Sequence, residues 1–163
     1  MKPIDHADYQ RIWMETQARA WRTLAVVPAD DAISTYEVAR VITGLGLHHG
    51  EQVRLADLRD VRLSRVGAFL EVTHELVRRG QRVVFATRSI AKNLATIPLA
   101  RAADRVILCV SLGSTSIRVV EETIEQIGKE RFLGSMLVGE PSRGRRAPRP
   151  WSSAEGRLEQ QGS

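Results

Sequence analysis

In the stretch TLAVVPADDAISTYEVARVITGLG, Thr23 to Gly46, a short apolar run leads into a loop and then a helical pattern that opens on Ser34-Thr35. Hydroxyls at such a junction could hold a phosphate group, because a helix N-terminus offers free N–H groups and a partial positive charge. A loop built for that work follows G-x-x-x-x-G-K-[ST]. Its glycines let the backbone approach the phosphates, and its lysine offsets their charge. Counted back from Ser34, Ile33 takes the lysine's place and Ala32 that of the second glycine. The first glycine would fall on Val27, inside the apolar run, so the loop is also contracted. Asp30 and Asp31 stand just before the helix instead. These carboxylates supply, from within the chain, the anion that a helix N-terminus favours. An arriving triphosphate would meet like charge, at a cost of about 1 kcal/mol per pair roughly 4 Å apart in bulk water and several times more at a partly buried site. A plainer reading stands beside this one: the two acids are a helix cap and nothing more.

Other groupings point to less chemistry. His48-His49 invites a metal, but adjacent histidines point apart on a regular backbone, and His6 and His74 are distant in sequence. Glu71 and Glu75, four apart with His74 beside them, read as a solvated helix face rather than an acid–base pair. Arg59 and Arg62 read as surface charge, and Asp57 as a strand-end residue that solvates a turn. No Ser/His/Asp set is surrounded by a nucleophile elbow. The lone Cys109, within RVILCVSL, reads as a small buried apolar residue, and one cysteine allows no disulfide within the chain.

The elements that must position these residues follow from apolar spacing. Residues Asp8 to Trp21 read as a helix with Tyr9, Ile12 or Trp13, and Trp21 available for its apolar stripe. Five short runs rich in Val, Ile and Leu follow: Thr23–Val27, Gln52–Ala56, Arg82–Ala86, Arg105–Leu112 and Phe132–Val138. Several hardly alternate, which suits strands buried on both faces of a parallel sheet. Between them lie helical patterns. Val38, Val41, Ile42 and Leu45 share one face of a helix expected to end at Gly44 and Gly46. Leu63, Val66, Phe69, Leu70, Thr73 and Val77 share another that ends at Gly80, and Ile117, Val120, Ile124 and Ile127 a third that ends at Gly128. Between Ile90 and Asp104, Pro98 breaks the pattern, so a loop and a short helix from Pro98 are expected. This alternation implies an α/β fold: a doubly wound, mostly parallel sheet of about five strands with flanking helices.

A chain of 163 residues, 43% hydrophobic, can bury one core and is not disordered throughout. No apolar run reaches the roughly 20 residues that a membrane helix needs. The opening MKPIDHADYQ lacks the apolar centre of a signal peptide, so a cytoplasmic location is expected, with the inner face of the membrane reached through a partner. The net charge of +5 speaks to solubility and nonspecific attraction. From Glu140 the chain is rich in Pro, Gly, Ser and Arg and cannot offset its ordering entropy. The expected organisation is an N-terminal helix and lead-in over 1–22, an α/β domain over 23–139, and a disordered basic tail over 140–163.

Taken together, the pieces resemble the P-loop ATPases of the MinD/ParA type. They look closest to the cytoplasmic kinase domain of the bacterial tyrosine kinases of capsule and exopolysaccharide assembly. STYEVARVITGLG is similar to the helix after the phosphate loop, with Ser34-Thr35 in the place of the family's Ser/Thr pair. VRLADLRD is similar to its second aspartate motif: Ala56-Asp57-Leu58-Arg59 matches, and Leu55 replaces the first aspartate. RVVFATRS takes the place of the third motif, a strand ending in Asp-Thr-Pro-Pro. There Thr87 matches and Ala86, Arg88 and Ser89 do not. AADRVILCVSLGSTSIRVVEETIEQI followed by FLGSMLV resembles the family's last strands and helix.

The resemblance implies a P-loop NTPase-like fold over roughly Tyr9 to Gly139, with the site dismantled. Magnesium in such sites is held by the loop Ser/Thr and a strand-end aspartate. Ser34 and Asp57 remain, but Ala86 has no oxygen to offer, and the adenine-reading asparagine is replaced by Val138. The family's autophosphorylated tyrosines cluster in a tail that here contains none. Asp30, Asp31, Ala32, Ile33, Ser34, Thr35, Asp57 and Ala86 are thus expected to be vestigial positions, with no catalytic residue, cofactor or metal.

The implied function is a pseudokinase-like binding or regulatory module. Its partner would be a membrane-anchored polysaccharide chain-length protein or a related ATPase. The family's first helix carries an acid and two arginines that help subunits associate. Here Asp8 and Arg11 match and Met14 replaces the second arginine, which puts a homo-oligomer in question. Two alternatives stand beside this. One is a divergent active ATPase or kinase, with Lys92 or Arg88 turned toward a phosphate. The other is a DNA-associated partitioning protein that uses surface arginines and the tail's SRGRRAPRP, which is similar to a minor-groove hook. That motif occurs once, with Arg146 where a proline would be expected, so nucleic acid is the weaker reading.

Overall fold

The structure, a computed structural model, describes residues 6–138. The basic tail expected over 140–163 lies outside the described residues, as do the side chains of Asp8 and Tyr9. The described chain runs α1 (His6–Gln17), β1 (Thr23–Pro28), α2 (Thr35–His48), β2 (Val53–Asp57), α3 (Val66–Arg78), β3 (Arg82–Ala86), α4 (Thr96–Ala102), β4 (Arg105–Ser111), α5 (Ile117–Ile127) and β5 (Phe132–Val138). The five strands form one sheet in the order β2-β3-β1-β4-β5, and every neighbouring pair is parallel.

Alternation along the central strand divides the core into two layers. Leu24 and Val26 of β1 pack with Trp13, Ala39, Ile42 and Leu45 under α1 and α2. Ala25 and Val27 face the other way, into a layer with Val66, Phe85, Leu99 and Ile127 from β3 and from α3 to α5. All six residues of β1 are buried, as a strand covered on both faces requires. Phe69 of α3 meets Phe85 edge-on at 5.4 Å between ring centroids, the arrangement that the ring quadrupole favours. Among the described residues no helix is long and apolar enough to cross a membrane.

Several expected boundaries move. α1 stops at Gln17, so Trp21 lies beyond the helix. It is still buried, with its indole N–H donating to the Thr16 carbonyl at 3.0 Å and its ring edge-on to Trp13. α2 runs through both Gly44 and Gly46 to His48. A Cβ on Gly46 would meet Val53 Cγ2 at 2.5 Å and the Trp13 ring at 3.0 Å, so this glycine permits close packing rather than ending the helix. The turn falls at Gly50, with φ 81°. α4 begins at Thr96, so Pro98 sits in the first turn, where its missing N–H has no helical partner to lose. Ile117 and Leu63 were expected on buried faces but lie exposed, because each sits at the opening turn of its segment, ahead of the residues that face the sheet.

Candidate functional site

The β1–α2 loop, residues 29–34, lies at the C-terminal end of the sheet. There β1 sends its chain to one face, while its neighbours β3 and β4 send theirs to the other. Open α/β sheets form their ligand crevices at such reversals. A cleft of about 230 Å³ occupies this one, lined by Pro28, the loop residues 31–34, Arg59, Thr87 and Arg88. A hollow of similar size, about 220 Å³, lies near the start of β2 and is lined by Leu47, Glu51 and Arg54 among others. It touches none of the residues read as functional.

The side chain of Ile33 is buried in the layer under α2, so the cleft meets an aliphatic group at the position that the sequence count assigns to the lysine. Neither Asp30 nor Asp31 caps α2. Ser34 occupies the N-cap position in an extended conformation, and its hydroxyl caps nothing. Asp30 Oδ1 accepts the Ala32 N–H of its own turn at 3.0 Å, and its Oδ2 accepts the Thr115 hydroxyl at 2.5 Å. Asp31 Oδ1 accepts the Ser89 hydroxyl at 2.6 Å. The two acids therefore tie the loop sideways, to the segments that follow β4 and β3.

Thr35 is also committed. Its hydroxyl is buried and donates to the Thr87 carbonyl at 2.5 Å, while the Thr87 hydroxyl donates to the Val26 carbonyl at 3.1 Å. Thr87, the matching residue of the third motif, thus joins α2, β3 and β1. Ala86 is fully buried and stands in register between Val26 and Asp57.

Asp57 is no idle strand end. Arg59 grips it in a fork, with Nε to Oδ1 and Nη2 to Oδ2 both at 2.8 Å, and the guanidinium lies over the Tyr36 ring at 4.9 Å. The hydrogen bonds from Arg59 hold the Asp57 carboxyl below its ordinary range, against the opposing effect of burial. Arg88 makes the corresponding contact with Asp60, Nε to Oδ1 at 2.9 Å. Arg59, expected as surface charge, therefore lines the cleft beside Arg88.

His48 and His49, expected to point apart, meet edge to face with ring centroids 5.7 Å apart. His49 has left the helix, and its ring stacks on Trp13 while Nε2 meets Gln10 Oε1 at 2.8 Å. Glu75 is held by Arg78 and Arg79 on the outer face of α3. Among the described residues no three His, Cys, Asp or Glu side chains gather as a metal site would require.

Sequence reasoning missed Ser89, Thr115 and Asn93. Asn93 Nδ2 donates to the carbonyls of Arg59 and Val61 at 3.2 and 2.9 Å, pinning the segment after β2 to the loop after β3. No local pattern marks these three. They are identified only by the loops they meet.

No protein-family model matches the sequence, and no curated protein matches it. Among solved structures the chain is similar to the BceF tyrosine kinase domain, with a TM-score of 0.63 and 11% identity over 82% of this chain and 75% of that one. It is also similar to the chimerical protein CapA2B2, with a TM-score of 0.69 and 10% identity over 85% of each chain. Likeness at that identity concerns the path of the backbone. The chain has a P-loop NTPase-like α/β fold, shared with a tyrosine kinase domain, in agreement with the resemblance read from its motifs.

Proposed function

We propose that the chain is a catalytically silent P-loop-like domain that binds a protein partner, serving as a regulatory or scaffold module in capsule or exopolysaccharide assembly. The observation that supports it most is Ile33, a buried aliphatic side chain where phosphate binding needs a cation. Around it, Ala86 offers no oxygen and the Thr35 hydroxyl is engaged by the Thr87 carbonyl. The β1–α2 loop is strapped to its neighbours by Asp30 and Asp31 rather than left open to wrap phosphates.

Calorimetry with magnesium-ATP at millimolar concentration tests the silent site. A flat trace is expected, and a defined one-site isotherm would sink the reading. The partner side is tested by co-purification from the native host. A membrane-anchored polysaccharide chain-length protein or an active ATPase of the same fold is expected, and recovery of neither would count against the pathway.

One observation favours a second reading, a divergent but active nucleotide site: Arg88 and Arg59 both line the cleft and could take over the lysine's charge. The same calorimetry separates the two.

A further inference from the structure

We propose that the cleft between the β1–α2 loop and the ends of β2 and β3 docks an acidic segment of a partner protein, with Arg59 and Arg88 receiving its carboxylates. The proposal rests on the binding-module reading above and names the chemistry of what is bound. A guanidinium carries five N–H donors in a rigid fork. Arg59 spends Nε and Nη2 on Asp57, and Arg88 spends only Nε on Asp60. The remaining donors, Nη1 of Arg59 and both terminal nitrogens of Arg88, find no acceptor among the described residues. Asp57 and Asp60 do not line the cleft, so they hold the two guanidiniums without filling the space beside them. Arg59 is thereby set before any partner arrives, which lowers the ordering cost of binding, and Arg88 is tethered beside it through one bond.

The charge around the cleft agrees. The segments that border the cleft, 29–34, 57–65 and 87–94, carry five cations, Arg59, Arg62, Arg65, Arg88 and Lys92, against four acids, Asp30, Asp31, Asp57 and Asp60, and each of the four acids is already hydrogen-bonded within the chain. Arg62, Arg65 and Lys92 are exposed and make no ion pair among the described residues. Such a surface steers an acidic chain and opposes a basic one. Planar forks suit carboxylates spaced along a polypeptide. A ring of loop N–H groups suits a phosphate, but here the loop is folded into the turn that Asp30 closes. No aromatic side chain lines the cleft among the described residues, so a nucleobase finds no stacking platform.

A fluorescein-labelled octaglutamate peptide titrated into the full chain, read by anisotropy at about 50 and about 150 mM salt, tests this. Saturable binding is expected, weaker at the higher salt. Arg88→Glu should weaken it about tenfold or more and Arg88→Gln about threefold. Arg78→Glu makes the same charge change at the far end of α3, where Arg78 is exposed, and should alter binding by less than about twofold. The proposal is overturned by absence of saturable binding, or by equal loss in Arg78→Glu and Arg88→Glu. Displacement of the peptide by millimolar inorganic phosphate, or tighter binding of a single-stranded oligonucleotide of equal length, would overturn it as well. Failure of the peptide with a flat magnesium-ATP trace removes this inference and leaves the silent-site reading standing. A one-site ATP isotherm removes both.

Discussion

Asp57 and Arg59 hold each other in a two-bond fork beside the cleft, and the consequence is a titration that can be watched directly. The Asp57 carboxyl titrates below its ordinary value because Arg59 donates to its charged form. Its midpoint in an NMR pH titration is therefore expected below the usual carboxylate range, and Arg59→Gln should move it upward. A depressed folded-state value contributes stability above the unfolded-state value, and that contribution is lost as pH falls through the folded one. The window is thus the acid side of about pH 4. Asp57 is 42% exposed, so water and salt hold the contribution to within about 1 kcal/mol. In the sequence Asp57 reads as a turn-solvating strand end and Arg59 as surface charge, because a spacing of two fixes neither side chain's direction. The partners of Asp30 and Asp31 were not legible either. Thr115 and Ser89 lie 85 and 58 positions away, and nothing local says which loops the sheet will bring together.

At the scale of elements, α2 joins the two halves of the site, because Thr35 at its start reaches β3 and Gly46 near its end admits Trp13 and Val53. Thr35→Val should cost about 1–3 kcal/mol by leaving the buried Thr87 carbonyl without this donor, read as a fall in the urea midpoint. The two glycines of the helix should behave oppositely. Gly46→Ala forces side-chain movement in the core and is expected to destabilise by about 1–3 kcal/mol. A Cβ on Gly44 meets nothing within 4 Å, so Gly44→Ala should stabilise by about 0.5–1 kcal/mol through lower unfolded-state entropy. Apolar spacing located this helix and its buried face correctly. It misplaced the end, because a glycine that stops a helix and one that admits a neighbour look alike until the neighbour, here some thirty positions earlier, is known.

For the whole molecule, one sheet separates two apolar layers that share every strand, so neither layer can melt alone. Leu99→Ala, in the layer under α3 to α5, removes a fully buried side chain and should cost about 2–5 kcal/mol. The near-ultraviolet signal of Trp13 and Trp21, on the opposite face, should shift to the same lower urea midpoint as the far-ultraviolet signal; separate midpoints would refute a single cooperative unit. Strand–helix alternation made this architecture legible because strands buried on both faces need unbroken apolar runs. The strand order was not legible from spacing, since each run is equally apolar whichever neighbours it takes.

The same burial gives Cys109 a particular use. The chain has one cysteine, in β4 and fully enclosed, and desolvation pushes its thiol up to about 12. A thiol reagent at neutral pH thus meets neither access nor thiolate until β4 is uncovered. Under native conditions the labelling rate of the unaltered protein is a clock for opening of this interior strand, blind to fraying at the periphery.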